Sequence, residues 1–271
     1  MFRLFITAWL LGGSLFLGSP TATAQTYRTV AHAAAPADIP ARLDRKFRRD
    51  AARLALRNSL LADAQATGRT GIDRRHAELF YEVLTTCYRD QPAARAIADC
   101  NVHTFPEPSI DHLVIIFERD IDWAAPFAES LLRTGNEDLN YLLDEHDLII
   151  EKHLLWDDAA DAITIRAREP LNIAALAGDF ADIDGVLDID LGVPDVVGND
   201  IDIVRTNNRW EIAYVLRFGA LTGNPKEHRW TFAYEDDGRV ALLREEGEAV
   251  PSYLRCAIQN TGWEDEIRRL R

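Results

Sequence analysis

The chain reads as an α+β protein: an N-terminal helical hairpin, a ferredoxin-like βαββαβ unit with an antiparallel sheet, and a C-terminal β-meander. Three observations predict this. Apolar residues recur at helical spacing before residue 100, and residues 101–195 then alternate strand-like and helical segments in the order strand, helix, strand, strand, helix, strand. In the last third, strand-like runs are punctuated by Asn207-Asn208 and by Asp236-Asp237-Gly238, and Asp-Gly between strand patterns signals a hairpin.

The helical hairpin spans residues 41–100. Over residues 41–66, Leu43, Phe47, Ala51, Leu54 and Leu61 fall at spacings of three, four and seven, which places them on one helix face. Between them stand Arg42, Arg45, Lys46, Arg48, Arg49, Arg53 and Arg57, a basic face that meets solvent, the acidic half of the same molecule or an anionic surface. The break at residues 67–71 ends this helix. Asp73 has the chemistry of an N-cap for a second one, whose stripe is Leu79, Phe80, Val83, Leu84 and Cys87. Two helices joined by a short polar loop pack antiparallel.

The ferredoxin-like unit opens with Leu113-Val114-Ile115-Ile116-Phe117, a continuous β-branched and aromatic run with the pattern of a strand buried on both faces. Residues 123–145 read as helical, interrupted at Thr134-Gly135-Asn136. Residues 148–156 and 163–166 read as strands, and residues 171–180 as a short helix. Residues 186–191 alternate, with Val186, Asp188 and Asp190 on one side and Leu187, Ile189 and Leu191 on the other. The meander follows over residues 196–271, in runs at 201–205, 210–218, 230–234 and 240–244. It either extends the first sheet or packs against it, and residues 263–270 read as a short closing helix. Residues 41–271 form one composite domain on this reading.

The N-terminus predicts export. Arg3 precedes an apolar run over residues 4–17, too short to span a bilayer. Pro20 then breaks it, and Ala22-Thr23-Ala24 offers a small-x-small cleavage site. Residues 1–24 therefore read as a signal peptide and residues 25–40, rich in Ala, Thr and Pro, as a flexible leader. No Cys follows the cleavage point, so no lipid anchor is indicated, and no later stretch of 18 apolar residues predicts a transmembrane segment. The expected location is the periplasm or the cell exterior.

Charge narrows the partners. Of a formal net charge of −14, residues 137–202 carry 18 acids against only Lys152, Arg166 and Arg168. Such a field repels phosphate backbones, which disfavours nucleic acid and anionic lipid and favours cations or basic proteins.

Most catalytic chemistries lack their residues. After the leader only Ser59, Ser109, Ser130 and Ser252 remain, none in a nucleophile-elbow or Ser-x-x-Lys context. No phosphate-cradling glycine loop is present. Asp144, His146, Glu151 and His153 are the weak candidates for a metal site, drawn from ligand types zinc accepts, although no His-Glu-x-x-His occurs. Asp182, Asp184, Asp188 and Asp190 lack the ligand order and closing Glu of a calcium loop, so a solvated strand face is expected there. Trp123, Trp156 and Trp263 are candidates for stacking on a sugar. Neither a cofactor nor a catalytic residue is predicted.

Three cysteines follow the leader, Cys87, Cys100 and Cys256. An oxidising compartment favours pairing, with Cys87–Cys100 the preferred bridge and Cys87–Cys256 the alternative. No C-x-x-C is present, which argues against a thioredoxin-like or Cys-type zinc site.

The segments Val102-His103-Thr104-Phe105-Pro106-Glu107-Pro108, Thr134-Gly135-Asn136, Gly198-Asn199-Asp200-Ile201, Trp156 and Trp230-x-Phe232 resemble a group of uncharacterised secreted proteins of Gram-negative envelopes. The likeness covers about residues 50–251. It implies export and one composite domain, and it implies no catalytic residue. The expected function is a non-catalytic binding module of the envelope or surface with a protein or glycan partner. The competing expectation is an extracytoplasmic hydrolase using carboxylates or a metal ion.

Overall fold

The computed structural model describes residues 38–129, 131–193, 198–219 and 225–251. The predicted signal peptide, most of the leader, the closing helix at 263–270 and Cys256 lie outside the described residues. No helix among the described residues is long and apolar enough to cross a membrane.

Helix α1 (Ala41–Ala62) packs against α2 (Arg74–Asp90) along the predicted stripes. Leu43, Phe47, Ala51 and Leu54 are buried, as are Phe80, Val83, Leu84 and Cys87. Asp73 caps α2, its carboxylate accepting from the backbone N–H groups of Arg75 and His76. Two details differ from expectation. Helix α1 stops at Ala62, where Asp63 turns extended and a 3₁₀ turn (Ala64–Gly68) follows, so Leu61 overshoots the packed region and is 90 % exposed. A third helix, α3 (Pro92–Asp99), occupies the segment between Cys87 and Cys100. Pro92 suits its first turn because that position needs no N–H donor.

That third helix also explains why the expected Cys87–Cys100 disulfide is not formed. Cys87 is buried in the core, whereas α3 separates it from Cys100, which sits half-buried at the C-terminal cap of α3 against the same core.

The ferredoxin-like unit is present. Its strands are β1 (His112–Glu118), β2 (Leu148–Leu155), β3 (Ala160–Ala167) and β4 (Val186–Asp190), in the order β2-β3-β1-β4 with every neighbour antiparallel. Between β1 and β2 lie a 3₁₀ turn (Asp122–Ala124), the short α4 (Ala125–Ala128) and α5 (Glu137–Glu145), and α6 (Ile173–Ala181) joins β3 to β4. Leu113, Ile115 and Phe117 of β1 share one core with Leu139 and Leu143 of α5 and with Ile173, Leu176 and Phe180 of α6. Both helices therefore cover the same face.

Helices cover one face of β1. On the other, Ile116 is buried and Val114 half-buried, in a small cluster with Ala160 and Ala162 of β3. The alternation predicted for β4 breaks. Phe117 pairs with Val186 and Ile116 with Asp188, so Leu187 is the extra residue of a bulge and is 55 % exposed instead of facing the core.

The meander comprises β5 (Asp200–Thr206), β6 (Arg209–Phe218), β7 (Lys226–Glu235) and β8 (Val240–Gly247), paired in sequence order. Gly238, at φ +83°, turns the predicted Asp-Gly hairpin between β7 and β8. The meander forms a second sheet, and its inner face, with Ile212, Tyr214, Leu216, Trp230 and Phe232, packs on α1, α2 and α3. The first and last thirds thus build one core, and the ferredoxin-like unit between them builds another.

The basic face of α1 joins the two. Asp50, Arg53 and Arg57 grip the connector that leads from α3 to β1. Asp50 accepts from Thr104 N–H at 2.9 Å and from its hydroxyl at 2.7 Å, while Arg53 donates to Thr104 Oγ1 at 2.8 Å and to Pro108 O at 3.0 Å. Arg57 donates to the carbonyls of Phe105 and Glu107 and to Asp200. Arg49 pairs with Asp111 at 2.5 Å. Burial lowers the Arg53 pKa to about 10, offset in part by Asp50 and Asp111, so it remains charged at neutral pH.

Candidate functional site

One cleft, about 630 Å³, opens where β1 ends. Its rim carries Glu118, Asp120 and Asp122 from the turn after β1, Glu137 and Asp138 from the first turn of α5, and Asp184 from the loop before β4. All six carboxylates are exposed and no basic side chain lines the cleft.

Local hydrogen bonds hold these three acid-bearing segments together. The indole N–H of Trp123 donates to the carbonyl of Asp184 at 2.9 Å, and the N–H of Gly135 donates to the carbonyl of Trp123 at 2.7 Å. A Cβ on Gly135 would sit 3.2 Å from the Trp123 Cα, so a larger residue there would push the two segments apart. Asn136 caps α5 through its side chain, accepting from Leu139 N–H. Trp123 itself is 7 % exposed and packs against Phe117 with ring centroids 4.7 Å apart. It is therefore a brace for the cleft, in keeping with packing and not with the sugar-stacking role for which it was one candidate. Trp156 is 50 % exposed, and Trp263 lies outside the described residues.

The four weak metal candidates are not brought together. His153 Nε2 lies 2.8 Å from Asp161, whose other oxygen accepts from Arg119 at 2.9 Å, and the imidazole stacks on Phe127. Glu151 accepts from Arg166 across the strand pair. Asp144 is on the exposed side of α5, and His146 caps its C-terminus. None of the four lines either cleft. Among the described residues no three His, Cys, Asp or Glu side chains converge on a point a metal ion could occupy. Of the four aspartates compared with a calcium loop, Asp184 joins the acidic cleft, Asp182 ends α6, and Asp188 and Asp190 stand on β4.

A second cleft, about 320 Å³, is lined by Asn101, His103, Thr104, Phe105, Pro106, Gly198 and Asn199. His103 Nδ1 lies 2.6 Å from the buried Asp50 carboxylate, and its Nε2 is enclosed with no hydrogen-bond partner among the described residues. Sequence reasoning missed this pair. The available signal was the polar spacing of Lys46, Asp50, Arg53 and Arg57 on α1, at four, three and four residues, which is a second stripe beside the apolar one. Gly135 lies against Trp123 at the first cleft, and Phe105, whose N–H donates to Asp200, lines the second with Gly198 and Asn199.

Fold and site together define an α+β protein of two antiparallel four-stranded sheets that presents open clefts. Comparisons with protein-family models, curated proteins and solved structures returned no match to this chain.

Proposed function

We propose that the chain is an exported, non-catalytic binding module that holds a cationic segment of a protein partner in the acidic cleft beside Trp123. Export rests on the signal-peptide pattern of residues 1–24. The observation that carries the binding reading is six carboxylates on three cross-braced segments with no basic side chain among them. Like charges so placed repel one another, and a multivalent cation relieves that repulsion. The carboxylates are spread around an open rim, which suits several Lys or Arg side chains of one peptide better than a single metal ion.

The competing hydrolase reading gains no support. His153 and Glu151, its central residues, are engaged with Asp161 and Arg166.

The test is calorimetric titration of the purified chain with an oligolysine peptide at low and at physiological salt. Binding that weakens as salt rises, and that falls about tenfold or more when Asp120, Asp122 and Asp184 are all replaced by Asn, is expected. No binding at low salt, or binding indifferent to the triple substitution, overturns the reading.

A further inference from the structure

The acidic cleft has an apolar flank that charge alone leaves unexplained. Leu131 and Leu132, which follow α4, are 51 % and 50 % exposed, and Leu155 and Trp156, at the end of β2, are 77 % and 50 % exposed. Single exposed apolar residues are ordinary on a surface, whereas large ones gathered beside a charged rim mark a place where another molecule sits.

Contacts and chain connectivity place these four beside the cleft. Arg119 stands between the rim acids Glu118 and Asp120. Its guanidinium donates to the carbonyls of Asp157, Asp158 and Ala160 and pairs with Asp161 at 2.9 Å, while its backbone N–H donates to Ala159 O at 3.1 Å. The β2–β3 turn, with Trp156 at its start, is thereby tied to the segment that carries three of the six rim carboxylates. Asp157 fixes the turn from within, accepting from the N–H groups of Ala159 at 2.8 Å and Ala160 at 2.7 Å.

The other two residues reach the cleft from α4. Phe127 stacks on His153 of β2 with ring centroids 4.9 Å apart, and Leu155 stands two residues further on the same face of the strand. Leu131 donates its N–H to Pro126 O at 3.1 Å and so stays beside α4. Leu132 is three residues from Gly135, which lines the cleft, a span of at most about 11 Å.

We propose that the acidic cleft and this apolar flank form one surface, whose partner is a cationic amphipathic segment of another protein. Its Lys or Arg side chains meet the rim carboxylates, and its large apolar side chains cover Leu131, Leu132, Leu155 and Trp156. This partner chemistry rests on the binding reading of the cleft and adds the apolar half. Charge disfavours the other occupants. Asp157 and Asp158 are exposed beside Trp156, which repels an anionic lipid surface, and a second copy of the chain brings its own formal net charge of −14. The carboxylates steer and orient the encounter, whereas the apolar contact is not screened by salt and slows release.

Calorimetric titration with two peptides of equal lysine content tests this, one filled out with Ser and the other with Leu and Trp. The wild type is expected to bind the Leu/Trp peptide about tenfold or more tighter, and to keep that margin as salt rises from low to physiological. Leu155→Ser combined with Trp156→Ser, on exposed positions and checked for native circular dichroism, should abolish the margin and leave the Ser peptide bound as before. Replacing Asp120, Asp122 and Asp184 by Asn should weaken both peptides. Equal affinity of the wild type for the two peptides, or a margin that survives the Ser substitutions, overturns the proposal and leaves the cleft reading standing. Binding of the Leu/Trp peptide that ignores the Asn substitutions overturns it as well, because flank and cleft would then act apart. Failure of both peptides to bind at low salt overturns the two readings together. Phosphatidylcholine vesicles should not sediment the chain, and sedimentation abolished by the Ser substitutions would assign Leu155 and Trp156 to a lipid surface instead.

Discussion

Arg57 on α1 and Asp200 at the start of β5 are 143 residues apart in sequence and joined at 2.9 Å. The contact is the centre of a larger knot. Arg57 also donates to the carbonyls of Phe105, Glu107 and Ile201, and the same Asp200 oxygen accepts the N–H groups of Phe105 and Ile201. Three chain segments are thereby held by two side chains that are 20 % and 15 % exposed. Replacing Arg57 with Ala leaves Asp200 with only its backbone donors, takes the guanidinium from three carbonyls, and should cost about 3 kcal/mol in urea unfolding. A double-mutant cycle with Asp200→Ala should return a coupling of about 1–2 kcal/mol, and additive effects would show that the two residues act separately.

Cys87 is fully buried, and desolvation pushes its thiol up to about 12. A thiol in that state presents neither thiolate nor access. Native protein treated with iodoacetamide near pH 8 should therefore carry no label on Cys87, and the same protein in denaturant should carry it fully. Peptide mass mapping reads both. Labelling of Cys87 in the native state, or recovery of a Cys87–Cys100 linked peptide, would contradict the packing described above.

The hydrophobic period made most of the fold legible. The stripes through Phe47 and Phe80, the strand run at residues 113–117 and the Asp237-Gly238 turn each report a local preference that the tertiary structure keeps. What stayed hidden is non-local. Nothing in residues 41–100 shows that this hairpin packs on strands more than a hundred residues later, because an apolar stripe does not name its partner. The bulge at Leu187 was hidden for a related reason, since it belongs to the pairing with β1 and leaves no mark within β4 alone. At the site, the acidity was visible in composition. The convergence of Asp120, Asp138 and Asp184 on one cleft depends on the strand order and was not.

Asp111 gives a pH signature. Its burial would raise its pKa, but the hydrogen bond with His112 and the charges of Arg49, His112 and Arg53 outweigh that and hold it below the usual carboxylate value. A carboxylate depressed in the folded state contributes stability that is complete above its unfolded pKa of about 3.9 and is lost as pH falls through the folded value. Wild type should exceed Asp111→Asn by about 1 kcal/mol at pH 6, with the gap closing as acid titrates the native carboxylate. Urea unfolding across that range measures it, and a gap independent of pH would assign the effect of the substitution to packing.

Gly247 ends β8 with φ +107°, a backbone conformation that side chains resist. A Cβ there would lie 2.4 Å from the carbonyl oxygen of Glu227 and 3.0 Å from the Cα of His228. Neither contact can yield by rotating a side chain, because both belong to the backbone of β7. Gly247 pairs with His228, and just beyond it the imidazole Nδ1 of His228 lies 2.6 Å from the carbonyl of Glu248, so the crowding falls where the chain turns over the core. Gly247→Ala should therefore cost about 2–4 kcal/mol, the sum of the strained backbone and the displaced strand. Gly238→Ala provides the comparison. Gly238 also has positive φ, at +83°, yet nothing lies within 4 Å of its added Cβ, so its cost should be limited to about 1–2 kcal/mol of backbone strain. Thermal unfolding of the two variants side by side separates crowding from conformation, and equal losses would mean that the β7–β8 edge relaxes freely around residue 247.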